Sequence, residues 1–243
     1  MCVAAVAWDC HPDLLLVAVA NRDEFHARPA VPLEEWSDDP GVLAGRDLRS
    51  GGTWLGVSRQ GQFALLTNFR DPDGFAEGRP SRGSVVTDLL KGREPAGLSA
   101  MNPLNACHAT PHDAYFLTNY PGPQYAKLDG GIHGLSNGAF DKPWPKTRQL
   151  GTALGAWLKG ETGDVEPLFA ALRSETPRAD EPAPLHAPEP GYAPIFISNP
   201  TYGTRCSTVV TIARDGTGMI AERSFDPQAR PVGERRLAFA WPV

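Results

Sequence analysis

Cys2-Val3-Ala4-Ala5-Val6-Ala7-Trp8 and Leu14-Leu15-Leu16-Val17-Ala18-Val19-Ala20 are two apolar runs joined by Asp9-Cys10-His11-Pro12-Asp13, and the second is followed at once by Asn21-Arg22-Asp23-Glu24. Each run is too short for a typical helix and is bounded by turn-type residues, the pattern of a buried β-hairpin. In a tight hairpin the end of the second strand lies beside the start of the first. Strand register therefore predicts that Asn21 to Asp23 sit next to Cys2.

Working outward, a polar loop with Pro29, Pro32, Pro40 and Gly41 is expected after this hairpin. Thr53 to Ser58 and Phe63 to Asn68, separated by Arg59-Gln60-Gly61-Gln62, form a second hairpin. Ser81 precedes Val85, Val86, Leu89 and Leu90, with Gly92 beyond, which describes a short helix. Tyr115 to Asn119, Tyr125 to Leu128 and Ile132 to Ser136 read as short strands. Leu150, Leu154, Trp157 and Leu158 share one face of a helix over 146–159 that Gly160 stops, and Val165, Leu168, Phe169 and Leu172 repeat the pattern. Residues 177–194 carry six prolines and predict a surface loop or flap. Strands return at Ile195 to Ser198, Thr208 to Arg214 and Met219 to Phe225, with a hairpin turn at Arg214-Asp215-Gly216. Strands, then helices, then strands imply sheets with helices packed outside them, an α+β domain.

The chain has 243 residues, within the range of one sheet-rich domain. A net charge of -5, without Lys or Arg runs, argues against a nucleic-acid partner. No stretch reaches the ~18 apolar residues of a membrane span, and the start lacks a basic region before its apolar run, which argues against a signal peptide. Cys2, Cys10, Cys107 and Cys206 match no zinc or Cys-x-x-Cys spacing. The expectation is a cytoplasmic protein with reduced thiols and no transmembrane segment.

Cys2 carries the chemistry. Removal of Met1 would leave a thiol and a free α-amine on one residue. The amine has a reference pKa of about 7.7–8.0, close to a thiol's ~8.5, so it accepts the thiol proton and later returns it to a leaving group. Arg22 would lower the thiol pKa, and Asp23 would orient the α-ammonium. The competing reading makes Cys2 a small apolar strand residue and Arg22–Asp23 a solvated pair.

Met1-Cys2, Asn21-Arg22-Asp23-Glu24-Phe25, Gly51-Gly52-Thr53-Trp54-Leu55-Gly56, Thr67-Asn68, Gly134-Leu135-Ser136-Asn137 and Thr201-Tyr202-Gly203-Thr204-Arg205 together resemble the NRDE family, also called the transport and Golgi organisation protein 2 family. The match runs in order across nearly the whole chain and implies a single NRDE-type domain over 1–243. The resemblance implies a small cytosolic or organellar protein linked, in eukaryotes, to lipid metabolism and haem trafficking. The same order of parts is distantly similar to the cholylglycine hydrolase and penicillin V acylase branch of the N-terminal nucleophile hydrolases. That likeness implies a four-layer αββα sandwich, with Cys2 as nucleophile, Arg22 and Asp23 beside it, Asn68 and Asn137 as oxyanion donors and Arg205 near the thiol. The branch usually reads Arg-Asn-x-Asp where this chain reads Asn-Arg-Asp-Glu, so the arginine offset differs. Asn119 competes with Asn137 on local sequence; the two Gly and the Ser flanking Asn137 favour it.

Two functions follow as expectations. One is a cysteine amide hydrolase or acyltransferase acting on a small acyl amide or thioester, with no cofactor required. The other is a non-catalytic binding or trafficking protein for haem or an acyl lipid. No metal site is expected: Cys107-His108 and His112 are joined by no further ligand group, and His11 and His26 are lone candidates for haem. Gly51-Gly52 reads more readily as a turn than as a ligand approach, Glu24 and Glu34-Glu35 as solvated faces, and Trp54, Trp144 and Trp157 as core. Phosphate loops and dinucleotide fingerprints are missing.

Overall fold

The computed structural model describes residues 2–71, 73–140, 143–177 and 193–242. The opening hairpin forms as its sequence predicts. β1 (Val3–Trp8) and β2 (Leu14–Phe25) pair antiparallel, Val3 opposite Asn21 and Trp8 opposite Leu16. The chain then leaves this sheet and lays down a second one as a meander: β3 (Ala30–Glu35), β4 (Val42–Asp47), β5 (Leu55–Ser58), β6 (Gln62–Asn68), β7 (Leu104–Ala109), β8 (Ala114–Thr118) and β9 (Gln124–Lys127). Helix α1 (Gly83–Leu90) lies between β6 and β7 in sequence. β10 (Gly131–Leu135) returns beside β1, and α2 (Pro145–Leu158) and α3 (Glu166–Leu172) follow. Then β11 (Tyr202–Ala213), β12 (Thr217–Phe225) and β13 (Pro231–Ala240) complete a first sheet ordered β10-β1-β2-β11-β12-β13.

Strand alternation assigns the two faces of the first sheet to different layers. Ala4, Val6, Ala18 and Val210 meet Phe63, Leu65 and Cys107 of the second sheet. Val3, Ala5, Val17 and Val19 meet Leu150 and Leu154 of α2 and Leu168 and Leu172 of α3. On the far side, Val85, Val86, Leu89 and Leu90 of α1 pack on Ala64, Leu66 and Ala106. The result is the αββα sandwich. Because β1 is buried on both faces, its run reads as continuously apolar rather than alternating. No helix among the described residues is long and apolar enough to cross a membrane.

Several elements depart from the expectation. The loop after the first hairpin is in fact β3 and β4. Pro32 fits because β3 is an edge strand whose pairing shifts register between Val31 and Glu34, where a ladder N–H is not needed. β7 lacks alternation because Asn105 and His108 interrupt its apolar positions, and β13 is an edge strand rich in charge and mostly exposed. Ile195 to Ser198 is not a strand. Its buried apolar residues are held by loop bonds instead: Phe196 N–H to the Ser174 carbonyl and Ile197 N–H to the Thr204 hydroxyl, both at 2.9 Å. β2 continues past Ala20 to Phe25, so Asn21, Arg22 and Asp23 lie within the strand rather than after it. The expected proline-rich loop over 177–194 falls almost wholly outside the described residues.

Asn21 shows why a polar group stands in a buried strand. Its Nδ2 donates to the carbonyls of Leu172 (2.8 Å) and Ile195 (2.9 Å), and its Oδ1 accepts from the Ser207 hydroxyl (2.6 Å). One side chain thus joins the end of α3, the 195 segment and β11 to β2. Asn21→Ala leaves two buried carbonyls and a hydroxyl unsatisfied. It is expected to cost about 2–4 kcal/mol, seen as a lower urea midpoint with an unchanged slope.

Gly134 faces α2, and a Cβ there would collide with Thr147 Cγ2. Gly134→Ala is expected to destabilise by about 1–3 kcal/mol through overpacking. Thr147→Ser, which removes that methyl, should recover much of the loss. Thermal unfolding of the single and double variants measures both.

Candidate functional site

β1 begins, β2 ends and β11 begins at one end of the first sheet, because each pairs antiparallel with its neighbour, and the end of β6 in the second sheet meets them there. A cleft of about 920 Å³ opens there, lined among others by Cys2, Arg22, Asp23, Asn68 and Arg205. Five of the six residues singled out in the sequence therefore share one surface. Asn137 does not line it: its Nδ2 donates to the main-chain carbonyl of Asn68, immediately behind the wall. The ends of β6 and β10 are stitched by the Thr67 hydroxyl on the Ser136 carbonyl (2.6 Å) and by Arg70 N–H on the Asn137 carbonyl (2.8 Å). These bonds bring Asn68 and Asn137 together.

Cys2 stands one residue before the Val3–Asn21 pair, and so opposite Arg22, which in turn pairs with Cys206. Two strand spacings, about 9.5 Å, separate the Cys2 and Cys206 backbones, beyond disulfide reach. Cys2 is buried, and burial pushes its thiol up; the Asp23 main-chain N–H bonded to the sulfur and the charge of Arg22 work the other way. Asp23 is buried too, and burial pushes its carboxyl up, opposed by the charge of Lys146 and by the Thr204 hydroxyl, which donates to Oδ1 at 2.7 Å. Tyr202 holds the same residue through its hydroxyl on the Asp23 carbonyl, at 2.9 Å.

Lys146 is the residue that sequence reasoning missed. It is 2% exposed in the first turn of α2, and burial pulls its ammonium down while Asp23 and Cys2 hold it up. A cation at a helix N-terminus opposes the helix dipole. A lysine directly after Trp144-Pro145 was thus a readable signal for a buried carboxylate nearby. Asp47 was missed as well. It accepts from Arg22 at 3.1 Å and from Arg28, and its Oδ1 receives the Arg49 and Ser50 N–H groups. Burial works against its charge, but the Arg28 bond holds it below the ordinary carboxylate range. Glu24 is a cleft residue 4.0 Å from Arg22 and 3.7 Å from Arg28, not a plain solvated face.

The remaining candidates have structural partners. Asn119 ties the loop before β7, its Oδ1 on Leu104 N–H and its Nδ2 on the Leu98 carbonyl, both at 2.8 Å. Gly52 packs on the Gly83 backbone at the start of α1, where a Cβ would stand 2.8 Å from its carbonyl. Gly138 likewise makes room for Trp144 rather than for a ligand. Cys107 lies in the core between the sheets, its thiol pushed up to about 12 by burial, and His108 is pulled to about 4 by burial beside Gln62. Among the described residues no group of three His, Cys, Asp or Glu is placed to hold a metal ion. Among the described residues no histidine lines the cleft: His11 Nδ1 accepts the Asp13 and Leu14 N–H groups, and His26 Nε2 meets the Asn199 carbonyl. The described residues of the cleft therefore offer no imidazole as an axial ligand for haem.

Two solved structures of variants of conjugated bile acid hydrolase from Clostridium perfringens share this fold. One matches with a TM-score of 0.53 at 9% identity over 99% of this chain and 98% of that one. The other matches with a TM-score of 0.52 at 9% identity over 98% and 97%. In sequence, the chain is 30% identical to the transport and Golgi organization protein 2 homolog of Homo sapiens, over 93% of each. The homolog of Mus musculus is 27% identical, again over 93% of each. The family model described as Transport and Golgi organisation 2 matches residues 1–227, so both the leading Cys2 and the motif that ends β2 fall within the shared pattern, and the chain belongs to that family.

Proposed function

We propose that the cleft carries out acyl transfer from a small acyl amide or thioester, with Cys2 as nucleophile. The observation that carries this reading is the convergence of Cys2, Arg22, Asp23, Asn68 and Arg205 on one cleft wall. A further support is a fold shared with proteins named as hydrolases of conjugated bile acids.

In this reading Met1 is removed and the Cys2 α-amine becomes the base. The sulfur bonds to the acyl carbon while its proton passes to the amine. Collapse of the tetrahedral intermediate breaks the C–N or C–S bond, and the amine returns the proton to the leaving group. Water then attacks the thioester, releasing the acid and restoring the thiol. Asp23 orients the amine, and the charge of Lys146 favours the ionised carboxyl against its burial. Asn68 and Asn137 supply amide donors near the oxyanion, a role worth about 2.7–4 kcal/mol per donor, once Asn137 turns from the Asn68 carbonyl. Arg22 and Arg205 tune the local charge.

A second reading is a carrier of an acyl lipid, or of haem, on the same fold without turnover. The raised Cys2 thiol and the engagement of Asn137 with Asn68 favour it. Under it, Cys2→Ala keeps ligand binding intact.

Intact-mass measurement of the native protein is expected to find Met1 absent and, after a limiting thiol-directed acylating probe, one acyl group on the Cys2 peptide. Retention of Met1 on the native protein excludes the acyl-transfer mechanism. The pH profile of that acylation identifies the base. With the amine as base the rate levels off above about pH 8. An unassisted buried thiol, raised above its ordinary 9.0, keeps climbing as pH rises because only the thiolate attacks.

A further inference from the structure

We infer that the ligand of this cleft carries an anionic group, a carboxylate or a phosphate, seated against Arg82 and Arg205 beside Cys2; the inference deepens the proposed acyl-transfer reading by giving its ligand a chemical class. The argument is one of charge. Among the described residues seven arginines line the cleft, Arg22, Arg28, Arg82 and Arg205 among them, with five acids that include Glu24 and Asp47. The two carboxylates are committed to Arg22 and Arg28, at 3.1 Å for Arg22–Asp47 and 3.7 Å for Arg28–Glu24, with Arg28 on Asp47 as well. Among the described residues, Arg82 and Arg205 have no carboxylate within ion-pair distance.

Both are half-buried and both are held in place through main-chain carbonyls. Arg82 Nη1 donates to Pro103 at 3.1 Å, and Arg205 Nη1 donates to Phe25 and Arg28, each at 3.0 Å. Each anchor uses one nitrogen and leaves the rest of a planar fork to face the cleft, the geometry that receives a carboxylate or phosphate in two parallel bonds. Positioning a cation in a half-buried site without a counter-charge is costly unless a ligand supplies one. Three other acids line the cleft: Asp23 is held by the Thr204 hydroxyl, Glu77 is exposed, and Glu222 does not offset the two arginines. Glu222 is buried, already accepts the Leu33 N–H at 2.9 Å, and is pushed up toward its neutral form by burial. Phe75, 70% exposed at the rim, lies under the Arg82 guanidinium and offers an apolar wall to the remainder of the ligand. A cleft of about 920 Å³ accommodates both parts.

The test is calorimetric titration of the full chain with octyl phosphate, octanoate and octanol. Octyl phosphate or octanoate is expected to bind more tightly than octanol, and added salt should weaken only the anions. Arg82→Gln with Arg205→Gln should reduce anion affinity about ten- to a hundredfold while octanol binding stays constant, which also reports an intact cleft. Arg82→Lys should restore part of the loss. Preference for octyl phosphate assigns a phosphate, and preference for octanoate a carboxylate. Octanol binding as well as the anions, or undiminished anion affinity in the double glutamine variant, overturns the inference. Repeating the titration with Cys2→Ala separates the two readings. Anion binding retained there supports the charge argument even if Cys2 is never acylated. Acylation of Cys2 without anion selectivity removes the charge argument alone.

Discussion

The buried amide of Asn21 is the constraint on which the molecule turns. A strand at the centre of a sandwich has no water to satisfy a polar side chain, so a buried amide must find protein partners. Asn21 finds three, on α3, on the 195 segment and on β11. In doing so it fixes the helical layer against the sheet and sets the phase of β2. With Asn21 turned toward the helices, Arg22 must turn into the space between the sheets, alongside Cys2 and Cys206. The motif that ends β2 is thus half scaffold and half cleft: the asparagine and the Asp23–Thr204 bond secure the frame, while Arg22 and Glu24 face the opening.

The electrostatics of the cleft follow from the same arrangement. Burial pushes the Cys2 thiol and the Asp23 carboxyl up and the Lys146 ammonium down, and each is partly restored by a neighbour of suitable charge. A buried acid and base whose charges favour one another against burial make a site whose protonation is set locally rather than by the solvent. Nearer the mouth the balance changes to an excess of guanidinium groups over carboxylates, although the whole chain carries -5. The positive face is a property of the cleft and is invisible in the total.

How much of this was legible in the sequence depends on which force dominates each element. The opening hairpin, α2 and α3 were readable because burial of one or both faces writes an uninterrupted or periodic apolar pattern. β4 and β7 were not, since their strand pattern is diluted by Gly45, Asn105 and His108, whose roles depend on contacts far away in the chain. β13 was hidden because an edge strand facing solvent can be mostly charged, and charge there guards against sheet-to-sheet association. Ile195 to Ile197 misled in the other direction, being apolar for burial yet bonded as a loop. Cys2, Arg22, Asp23, Asn68 and Arg205 line the cleft; hairpin register put Arg22 and Asp23 beside Cys2, while Asn68 and Arg205 were expected from the family resemblance alone. Asp47 and Arg82 did not announce themselves, because their significance lies in a partner's charge and not in their own neighbours in sequence; Lys146 was signalled only by its place at the start of a helix.

The whole second sheet is inserted between β2 and the strand that pairs with it, β11, so partners such as Asn21 and Ser207 are 186 positions apart. A ribosome adding about 5–20 residues per second needs about 10–40 s to deliver the missing neighbour. Throughout that interval the nascent hairpin has one long edge unpaired and two apolar faces awaiting cover. Such high contact order slows closure and lengthens exposure to aggregation. A long wait for the covering strand is therefore built into the order in which this chain is threaded.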